Sequence, residues 1–211
     1  MAIHKSLSKL ISDKEFNHVV IGYSGGVDSS VLLYLITKNS ILRSKKIMAI
    51  HINHSLSKNS DDWESFCREN CENLGIEFKS YKIKYNKKEN DSFEEFSRKK
   101  RNMFFEKNLD KKSILFTAHH LDDQIETFIF NAIRGSGLDG LSGIKIEKKL
   151  KKGTHLRPLI NITKDEIYNF AKNHNIKFIE DESNFTDFYS RNYIRNRIIP
   201  LIKNYWPSYS K

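Results

Sequence analysis

The sequence predicts an α/β fold: a doubly wound, mainly parallel five-stranded sheet with helices on both faces and a short helical extension at the C-terminus. Apolar residues switch repeatedly between a spacing of two, typical of strands, and a spacing of three to four, typical of helices. Strands that alternate with helices form parallel sheets covered on both faces. The 211 residues, 38% of them hydrophobic, are enough for one such domain with a single core.

Five segments have the apolar pattern of buried strands. They are residues 18–23, 46–52, 78–83, 113–118 and 176–179. Because the last of these segments ends near residue 180, we expect one α/β domain over residues 1–180. Residues 181–211 then form the helical extension.

The segments between the predicted strands have helical spacing. Two of these helices open with a capping box, formed by Ser92 with Glu95 and by Thr163 with Glu166. The helix over residues 124–133 carries apolar side chains on one face, which we expect to pack against the sheet. They are Ile125, Phe128, Ile129, Ala132 and Ile133.

The composition favours a folded protein with a polyanionic partner. The formal net charge is +10 and the isoelectric point is near 9.4, values that suit RNA binding. No segment has the ~20 apolar residues of a membrane span, and the N-terminus lacks a signal-peptide pattern, so we expect a cytoplasmic protein without membrane contact. The two cysteines, Cys67 and Cys71, share the apolar stripe of a helix, as buried reduced thiols do.

A polar loop with two glycines joins the first predicted strand to a helix. It consists of Ser24, Gly25, Gly26, Val27, Asp28 and Ser29. Glycine lets the backbone approach a ligand, and the first helical turn offers free N–H groups beside the serine hydroxyls. Such a loop binds anions, above all a phosphate chain. Its spacing fits neither the Walker A loop nor the dinucleotide-binding fingerprint.

Two further polar clusters follow predicted strands. They are residues 51–54 and the group His119, His120, Asp122, Asp123 and Glu126. Because the carboxyl ends of parallel strands meet at one edge, both clusters are expected to converge with the glycine loop. Helix capping accounts for one aspartate, and a histidine-aspartate metal site is an alternative, although no familiar zinc spacing occurs. The lysine-rich residues 144–153 form either a solvated hairpin or an RNA-contacting loop.

The glycine loop resembles the pyrophosphate loop of the N-type ATP pyrophosphatases. Residues 119–144 closely resemble a block of the bacterial tRNA(Ile)-lysidine synthetase family, and further blocks match in unbroken order over residues 19–200. These blocks are His51-Ile52-Asn53-His54-Ser55-Leu56, Glu95-Phe96-Ser97-Arg98 with Arg101 and Phe104-Phe105, Arg157-Pro158-Leu159, and Asp181-Glu182-Ser183-Asn184 leading to Arg191-Asn192 and Ile194-Arg195.

The resemblance implies a Rossmann-like fold of the PP-loop ATPase type, with residues 1–180 as the catalytic domain. It implies a ligase that uses ATP to join free lysine to carbon 2 of the wobble cytidine in a tRNA(Ile) with a CAU anticodon. Transfer of AMP to the ring oxygen, with release of pyrophosphate, turns that oxygen into a leaving group for attack by the lysine amine. Family members commonly continue into tRNA-gripping domains, so residues 181–211 are expected to begin a truncated tRNA-binding region or to end an unusually small enzyme.

The resemblance also implies roles for single residues. The six loop residues bind ATP, and Asp28 holds Mg2+ against the phosphates, since an ionised carboxylate has no proton to donate to them. Asp123 and Glu126, three apart on a helix, recognise or deprotonate lysine with help from Asp122. His119 donates to the adenylated oxygen or a phosphate, and Arg191 neutralises phosphate charge.

Two other functions stay open at the level of sequence. A tRNA thiolase also adenylates a base carbonyl, but such enzymes use paired catalytic cysteines, and Cys67 and Cys71 lie four apart within an amphipathic helix. A non-catalytic basic RNA-binding module leaves the loop and the carboxylates unexplained. The oligomeric state, a homodimer included, the tRNA identity elements and the carboxylate that binds lysine are also left open.

Overall fold

Strands and helices alternate along the chain as the apolar spacing predicts. The computed structural model describes residues 2–85, 92–180 and 190–206. Within them the strands are β1 His18–Gly22, β2 Lys46–Asn53, β3 Glu77–Lys82, β4 Ser113–Phe116, β5 Glu147–Lys149 and β6 Thr154–Leu156. The helices are α1 Ala2–Ile11, α2 Val27–Lys38, α3 Ser40–Arg43, α4 Ser60–Asn73, α5 Phe93–Lys107, α6 Leu121–Ile133, α7 Leu138–Leu141, α8 Lys164–Asn173, α9 Ser190–Tyr193 and α10 Ile199–Tyr205, with a π-helix over Ile194–Ile198.

The sheet is mainly parallel, and β1 lies near its centre. The strand order is β3-β2-β1-β4-β6-β5, and among the described strands only β5 runs antiparallel to its neighbour. In the central register Val19 of β1 lies opposite Ile47 of β2 and Ile114 of β4. The α/β class and the mainly parallel sheet are therefore confirmed.

The predicted number of five strands is wrong, because the sheet has six strands in the described residues alone. Residues 176–179, which the structure describes, form a single bridge, between Ile179 and Gly26, instead of a strand. The Ile179 N–H donates to the Gly25 carbonyl at 2.9 Å, so this segment pairs with the loop beyond the end of β1. Strand β5 comes from the lysine-rich residues 144–153 and pairs with β6, which directly follows them, and Gly153 between the two strands has a φ of +75°. Strands of three residues are too short to show the apolar alternation that reveals longer strands.

The core lies on both faces of the sheet. Along β1, Val19 and Ile21 point to the face covered by α1, α2 and α8, whereas Val20 packs with Phe105 of α5 on the opposite face. This alternation is the period of two that the sequence displays. Full burial stabilises each such side chain by about 1.5–3 kcal/mol, which holds the ends of β1 and β4 in fixed positions.

The orientation of α6 differs from the expected one. Its apolar face was expected on the sheet, but Phe128 is 51% and Ile133 is 68% exposed. The buried residues of α6 are Glu126 and Thr127. The helix therefore turns a carboxylate inward, toward the edge where the strands end, and the expected packing of its apolar face against the sheet is wrong.

The C-terminal helices follow residues that the structure does not describe. The sequence block Asp181-Glu182-Ser183-Asn184 lies outside the described residues, and the domain boundary near residue 180 stays a prediction. Beyond it, Arg195 of the π-helix contacts α6, which connects this part of the chain with the sheet edge. None of the helices in the described residues is long and apolar enough to cross a membrane.

Candidate functional site

The glycine loop requires glycine at position 25. Gly25 has a φ of +87°, a conformation that side chains with a Cβ rarely adopt. A Cβ there would lie 2.8 Å from Ile179 Cδ1 and 2.9 Å from Cys67 Sγ. The loop is therefore held closely between α4 and residues 176–179, with its backbone following β1 directly into α2.

The serines of the loop act mainly on the loop itself. The Ser29 hydroxyl donates to the Gly26 carbonyl at 3.0 Å, and the Ser30 hydroxyl donates to the Gly25 carbonyl at 3.2 Å. Ser24 Oγ lies 3.1 Å from Ser29 Oγ and is the more exposed of the two. These bonds fix the start of α2, whose first-turn N–H groups and dipole are available to an anion.

The cluster at residues 51–54 reaches the loop from the neighbouring strand. Buried His51 donates through Nδ1 to the Tyr23 carbonyl at 3.0 Å, and burial lowers the pKa of this ring. The Asn53 amide donates to Asp61 Oδ1 at 2.9 Å and to Glu64 Oε2 at 3.1 Å. This cluster braces β2 against α4, and its His51 reaches Tyr23 directly before the glycine loop.

An acidic cluster forms where the loop meets the N-terminus of α6. His120 lies at its centre, with Nε2 at 3.8 Å from Asp28 Oδ2 and 3.6 Å from Asp123 Oδ2, and Nδ1 at 3.5 Å from Asp122 Oδ2. The backbone N–H of His120 donates to Asp123 at 2.9 Å, and the N–H of Lys164 donates to Asp122 at 2.8 Å. Asp122 and Asp123 thus serve as caps and, in addition, face a histidine beside the loop.

The charges of this cluster shift the pKa of its central histidine. Burial alone would lower the pKa of His120, but Asp122, Asp123 and Asp28 together raise it above its ordinary value. His120 and Lys164 hold the pKa of Asp122 below its usual range against the opposing effect of burial. Asp28 Oδ1 is buried and has no hydrogen-bond partner in the part of the chain that the structure describes. An oxygen of this kind suits a cation.

Glu126 is held by an arginine that the sequence analysis gave no role. Glu126 is only 1% exposed, and Arg195 forms a two-point ion pair with it, Nε to Oε1 at 2.5 Å and Nη2 to Oε2 at 2.9 Å. Arg195 Nη2 also lies 3.6 Å from Asp123 Oδ1. Asp123 and Glu126 therefore both face Arg195 in this structure, and their predicted contact with lysine stays a prediction. The sequence pointed to Arg195 only through its place in the block from Arg191 to Arg195, which resembles the family.

His119 lies in a basic and polar setting. Thr117 Oγ1 lies 2.7 Å from His119 Nδ1 and 2.8 Å from His155 Nε2, and Arg157 Nη2 lies 3.0 Å from His155 Nδ1. Burial, followed by Arg101 and Arg157, lowers the pKa of His119 to about 4. Burial and Arg157 lower the pKa of His155 to about 2. Thr117 and His155 were not foreseen from the sequence.

Arg191 and Arg101 add positive charge beside these residues. The Arg191 guanidinium lies over the Phe130 ring of α6, 5.8 Å from its centre. Burial, together with the charges of Arg98 and Arg191, lowers the pKa of Arg101. Such a cluster favours an anionic ligand.

The fold and this edge define a class of protein: an α/β nucleotide-binding domain with an anion loop after its first strand and carboxylates and arginines facing it. In the part of the chain that the structure describes, no group of three or more His, Cys, Asp or Glu side chains has the geometry to hold a metal ion on its own.

Comparison with known families agrees with this class. The model of a family described as a PP-loop domain matches residues 1–202, and the chain belongs to this family. A tRNA(Ile)-lysidine synthase of Francisella tularensis is 44% identical over 215 aligned residues, which cover 100% of this chain and 52% of the relative. One from Coxiella burnetii is 36% identical over 203 residues, 96% of this chain and 44% of the relative. The chain thus spans about half the length of these curated relatives.

A solved structure supports the fold. The U34-tRNA thiolase NcsA from Methanococcus maripaludis, determined with its 4Fe-4S cluster, superimposes with a TM-score of 0.78. The match covers 99% of this chain and 74% of the thiolase at 22% sequence identity, which establishes a shared fold. The cysteines here differ from those of a cluster-binding site, because iron-sulfur clusters are held by several thiolates. Cys67 and Cys71 are both buried, and burial raises the pKa of Cys71 to about 12.

Proposed function

We propose that this chain carries out lysidine formation: the ATP-dependent ligation of lysine to carbon 2 of the wobble cytidine in a tRNA(Ile) with a CAU anticodon. The main support is the meeting of the glycine loop with the acidic cluster, where His120 Nε2 lies within 4 Å of both Asp28 and Asp123. A nucleotide held by the loop has its phosphates at this edge, beside carboxylates suited to an amine. The names of the relatives support the choice of lysine and tRNA(Ile) among such reactions.

In the first step the loop holds ATP by its pyrophosphate end. Backbone N–H groups at the start of α2 donate to the phosphate oxygens, and Gly25 keeps side chains out of their way. The cytidine ring oxygen attacks the α-phosphorus, the bond to pyrophosphate breaks, and an adenylated base results. The loop residues in this role are Ser24, Gly25, Gly26, Val27, Asp28 and Ser29.

Asp28 is the residue that would hold Mg2+ with the phosphates. Its buried Oδ1, unpartnered in the described residues, fits one carboxylate ligand of an ion that takes most of its other ligands from phosphate and water. Bound there, Mg2+ neutralises part of the phosphate charge. Asp28 itself fixes the first turn of α2 against His120.

In the second step the lysine ε-amine attacks carbon 2, the bond to the adenylated oxygen breaks, and AMP leaves. Asp123 and Asp122, both partly exposed beside the loop, bind the ammonium group and take up the proton that the amine loses. Glu126 acts on this step through Arg195, whose guanidinium it holds next to Asp123. His119 donates to the oxygen that carries AMP, and Arg191 with Arg101 offsets phosphate charge.

The proposed reaction also has consequences for the location, the domains and the oligomeric state of the protein. Because its proposed substrate is a tRNA, we expect the enzyme to act in the cytoplasm. The net charge of +10 suits binding to this polyanionic substrate. The division into a catalytic domain, residues 1–180, and a tRNA-contacting extension, residues 181–211, belongs to the same proposal. A homodimer is tested directly by light scattering of the purified chain.

A labelled-lysine assay tests the reaction. The chain is incubated with ATP, Mg2+, labelled lysine and a CAU-anticodon tRNA(Ile) transcript. The expected result is lysine-dependent AMP release with label in the tRNA, and no label in a transcript with a wobble uridine. Tight tRNA binding with no AMP release at any lysine concentration would contradict the proposal and favour a binding module.

The same assay separates the thiolase alternative. Replacing lysine by sulfide or cysteine supplies the sulfur donors of a thiolase. Incorporation of sulfur with no incorporation of lysine would overturn the proposed reaction while leaving ATP use intact. The buried position of both cysteines predicts that this result is not obtained.

A further inference from the structure

Behind His119 a chain of hydrogen bonds runs to the base of the β5-β6 hairpin. Arg157 Nη1 donates to the Lys145 carbonyl at 2.6 Å, and Arg157 Nη2 lies 3.0 Å from His155 Nδ1. His155 Nε2 lies 2.8 Å from Thr117 Oγ1, which in turn lies 2.7 Å from His119 Nδ1. Thr117, His155 and Arg157 are all buried, and the two bonds made by His155 are shielded from solvent.

The donor and the acceptor of each bond can be assigned by starting from Arg157. A guanidinium group can only donate, so His155 Nδ1 accepts and the hydrogen of the neutral ring is on Nε2. His155 Nε2 then donates to Thr117 Oγ1, which has one hydrogen of its own to give. Among the described residues the other partner of that hydroxyl is His119 Nδ1, which therefore accepts.

We propose that Thr117, His155 and Arg157 are positioning residues that hold His119 as the neutral tautomer with its hydrogen on Nε2. The histidine is then a hydrogen-bond donor to a ligand through Nε2 and has no free acceptor nitrogen. Thr117 sets the tautomer, and Arg157 sets the direction of the whole chain from its anchor on the hairpin. Besides burial, four neighbouring groups act on the pKa of the His119 ring. Arg101, Arg157 and His120 lower this pKa, and Asp123 raises it.

The low pKa values of this region agree with the tautomer. Burial and the neighbouring guanidinium groups lower the pKa of His119 to about 4 and that of His155 to about 2. Both rings are therefore neutral at physiological pH, which the hydrogen-bond directions require. A protonated His155 would present a donor to Arg157, another donor, at 3.0 Å.

The use of this tautomer in catalysis rests on the proposed function. A neutral Nε2–H group stabilises negative charge on the oxygen that receives AMP and cannot remove a proton from lysine. Deprotonation of the amine is then left to the carboxylates of the acidic cluster. The tautomer itself depends only on the hydrogen bonds and stands or falls independently of the substrate.

Nitrogen NMR of the 211-residue chain labelled with 15N-histidine tests the tautomer. The His119→Gln variant identifies the signals of His119 among those of the eight histidines. We expect a protonated Nε2 and an unprotonated Nδ1 at neutral pH. A protonated Nδ1, or two protonated nitrogens at neutral pH, would overturn the proposal.

Two substitutions of Thr117 test the role of its hydroxyl. Thr117→Val removes the donor with little change of shape, and we expect the His119 ring to lose its single tautomer. Thr117→Ser restores a hydroxyl, and we expect it to restore the wild-type ring signals. Thr37→Val is the matched control, because the Thr37 hydroxyl donates to the Tyr34 carbonyl within α2, away from the site. An unchanged His119 tautomer in a folded Thr117→Val protein would contradict the proposal.

The lysine assay adds a kinetic reading. Because a wrong tautomer of a catalytic histidine lowers kcat by up to about 10⁴-fold, we expect Thr117→Val to lose at least about tenfold in kcat. KM for lysine stays near its wild-type value, since His119 does not bind lysine. If no variant or wild-type protein modifies the tRNA, the proposed function fails, and the NMR result still decides the tautomer.

Discussion

Two neighbouring histidines, His119 and His120, have opposite electrostatic surroundings. Burial lowers the pKa of His119 to about 4, and Arg101 and Arg157 add to this effect against the opposing charge of Asp123. His120 faces Asp28, Asp122 and Asp123, and its pKa rises despite burial. Both residues lie in the turn between β4 and α6, so the difference arises from what the fold brings to each side of that turn and not from their own sequence neighbourhood.

The end of β4 thus gives two adjacent histidines different chemical properties. Successive side chains of an extended segment point to opposite sides. One side meets the end of β6 and α5, which supply arginines, and the other meets the loop and the first turn of α6, which supply carboxylates. A histidine with a lowered pKa and one with a raised pKa thus stand at successive positions at the same edge of the sheet.

The largest effect is expected when the acidic side loses Asp28 or Asp123. Asp28→Ala removes the carboxylate beside the phosphates, and we expect AMP formation to fall by about 10²–10³-fold, as for loss of a charge-stabilising group in an active site. Asp123→Ala is expected to reduce lysine transfer by a similar factor. The labelled-lysine assay measures both steps.

Asp13→Ala, an exposed aspartate before β1, is the matched control for these two variants. It is expected to keep wild-type rates. Urea unfolding shows whether each variant is folded. Full rates in folded Asp28→Ala and Asp123→Ala proteins would remove both residues from the mechanism.

The second-largest effect is a loss of stability, and we expect it when Glu126, which is paired with Arg195, is removed. Glu126→Ala leaves the Arg195 guanidinium without its two-point partner. Removing one member of a buried ion pair costs about 3 kcal/mol in the free energy of unfolding, and this value is the low end of the usual range because Arg195 is partly exposed. Urea denaturation measures the change.

An exposed ion pair provides the contrast for Glu126. Asp165 and Lys203 lie 3.8 Å apart with both side chains largely exposed. Asp165→Ala is therefore expected to change the free energy of unfolding by less than about 1 kcal/mol. Equal losses in the two variants would mean that the Glu126 pair has no special stabilising role.

The third effect is a pH dependence of stability that distinguishes the two histidines. The pKa of His119 is about 4 in the folded chain and near 6.5 when unfolded, so the unfolded chain binds an extra proton as the pH falls. Its contribution, on the order of 2 kcal/mol, is present above about pH 6.5 and is lost as the pH falls toward 4. His155 acts in the same direction. His120, with a raised pKa, acts in the opposite direction and loses its contribution as the pH rises.

Urea unfolding at several pH values measures this dependence. His119→Gln is expected to unfold with a shallower loss of stability between about pH 6.5 and pH 4 than the wild-type chain. His174→Gln, at the exposed C-terminal end of α8, is the surface control. Identical pH slopes in His119→Gln and wild-type protein would contradict the assignment.

Much of this edge could be predicted from local sequence. The apolar run before Ser24 and the helical run after Ser29 place the loop at a strand end, and parallel topology then brings residues 51–54 and 119–123 to it. Capping residues also follow from short-range rules, since Ser92 accepts from the Glu95 N–H and Thr163 pairs with Glu166, as predicted.

The remainder depends on contacts between distant parts of the chain. Arg195 meets Glu126 across 69 positions, and His155 meets Thr117 across 38, distances at which no periodicity carries information. The inward side of α6 was missed because its buried residue is a carboxylate, whereas amphipathic reasoning assigns the apolar face to the interior. The strands β5 and β6 were missed because neither has a run of apolar residues.

The smallest effect on activity is expected from Asp122→Asn, which replaces one of the three carboxylates around His120 by a neutral amide. Asp122 Oδ2 lies 3.5 Å from His120 Nδ1 and also accepts the Lys164 N–H at 2.8 Å. An asparagine keeps an acceptor for Lys164 and removes the negative charge, so the pKa of His120 is expected to fall. The pKa of His119, which is lowered mainly by burial, is expected to stay unchanged. Because Asp28 and Asp123 remain, the loss in lysine transfer is expected to be less than about tenfold. Histidine NMR titration of the variant reports both rings at once, and an equal shift of the two pKa values would mean that the turn does not separate the acidic and basic sides.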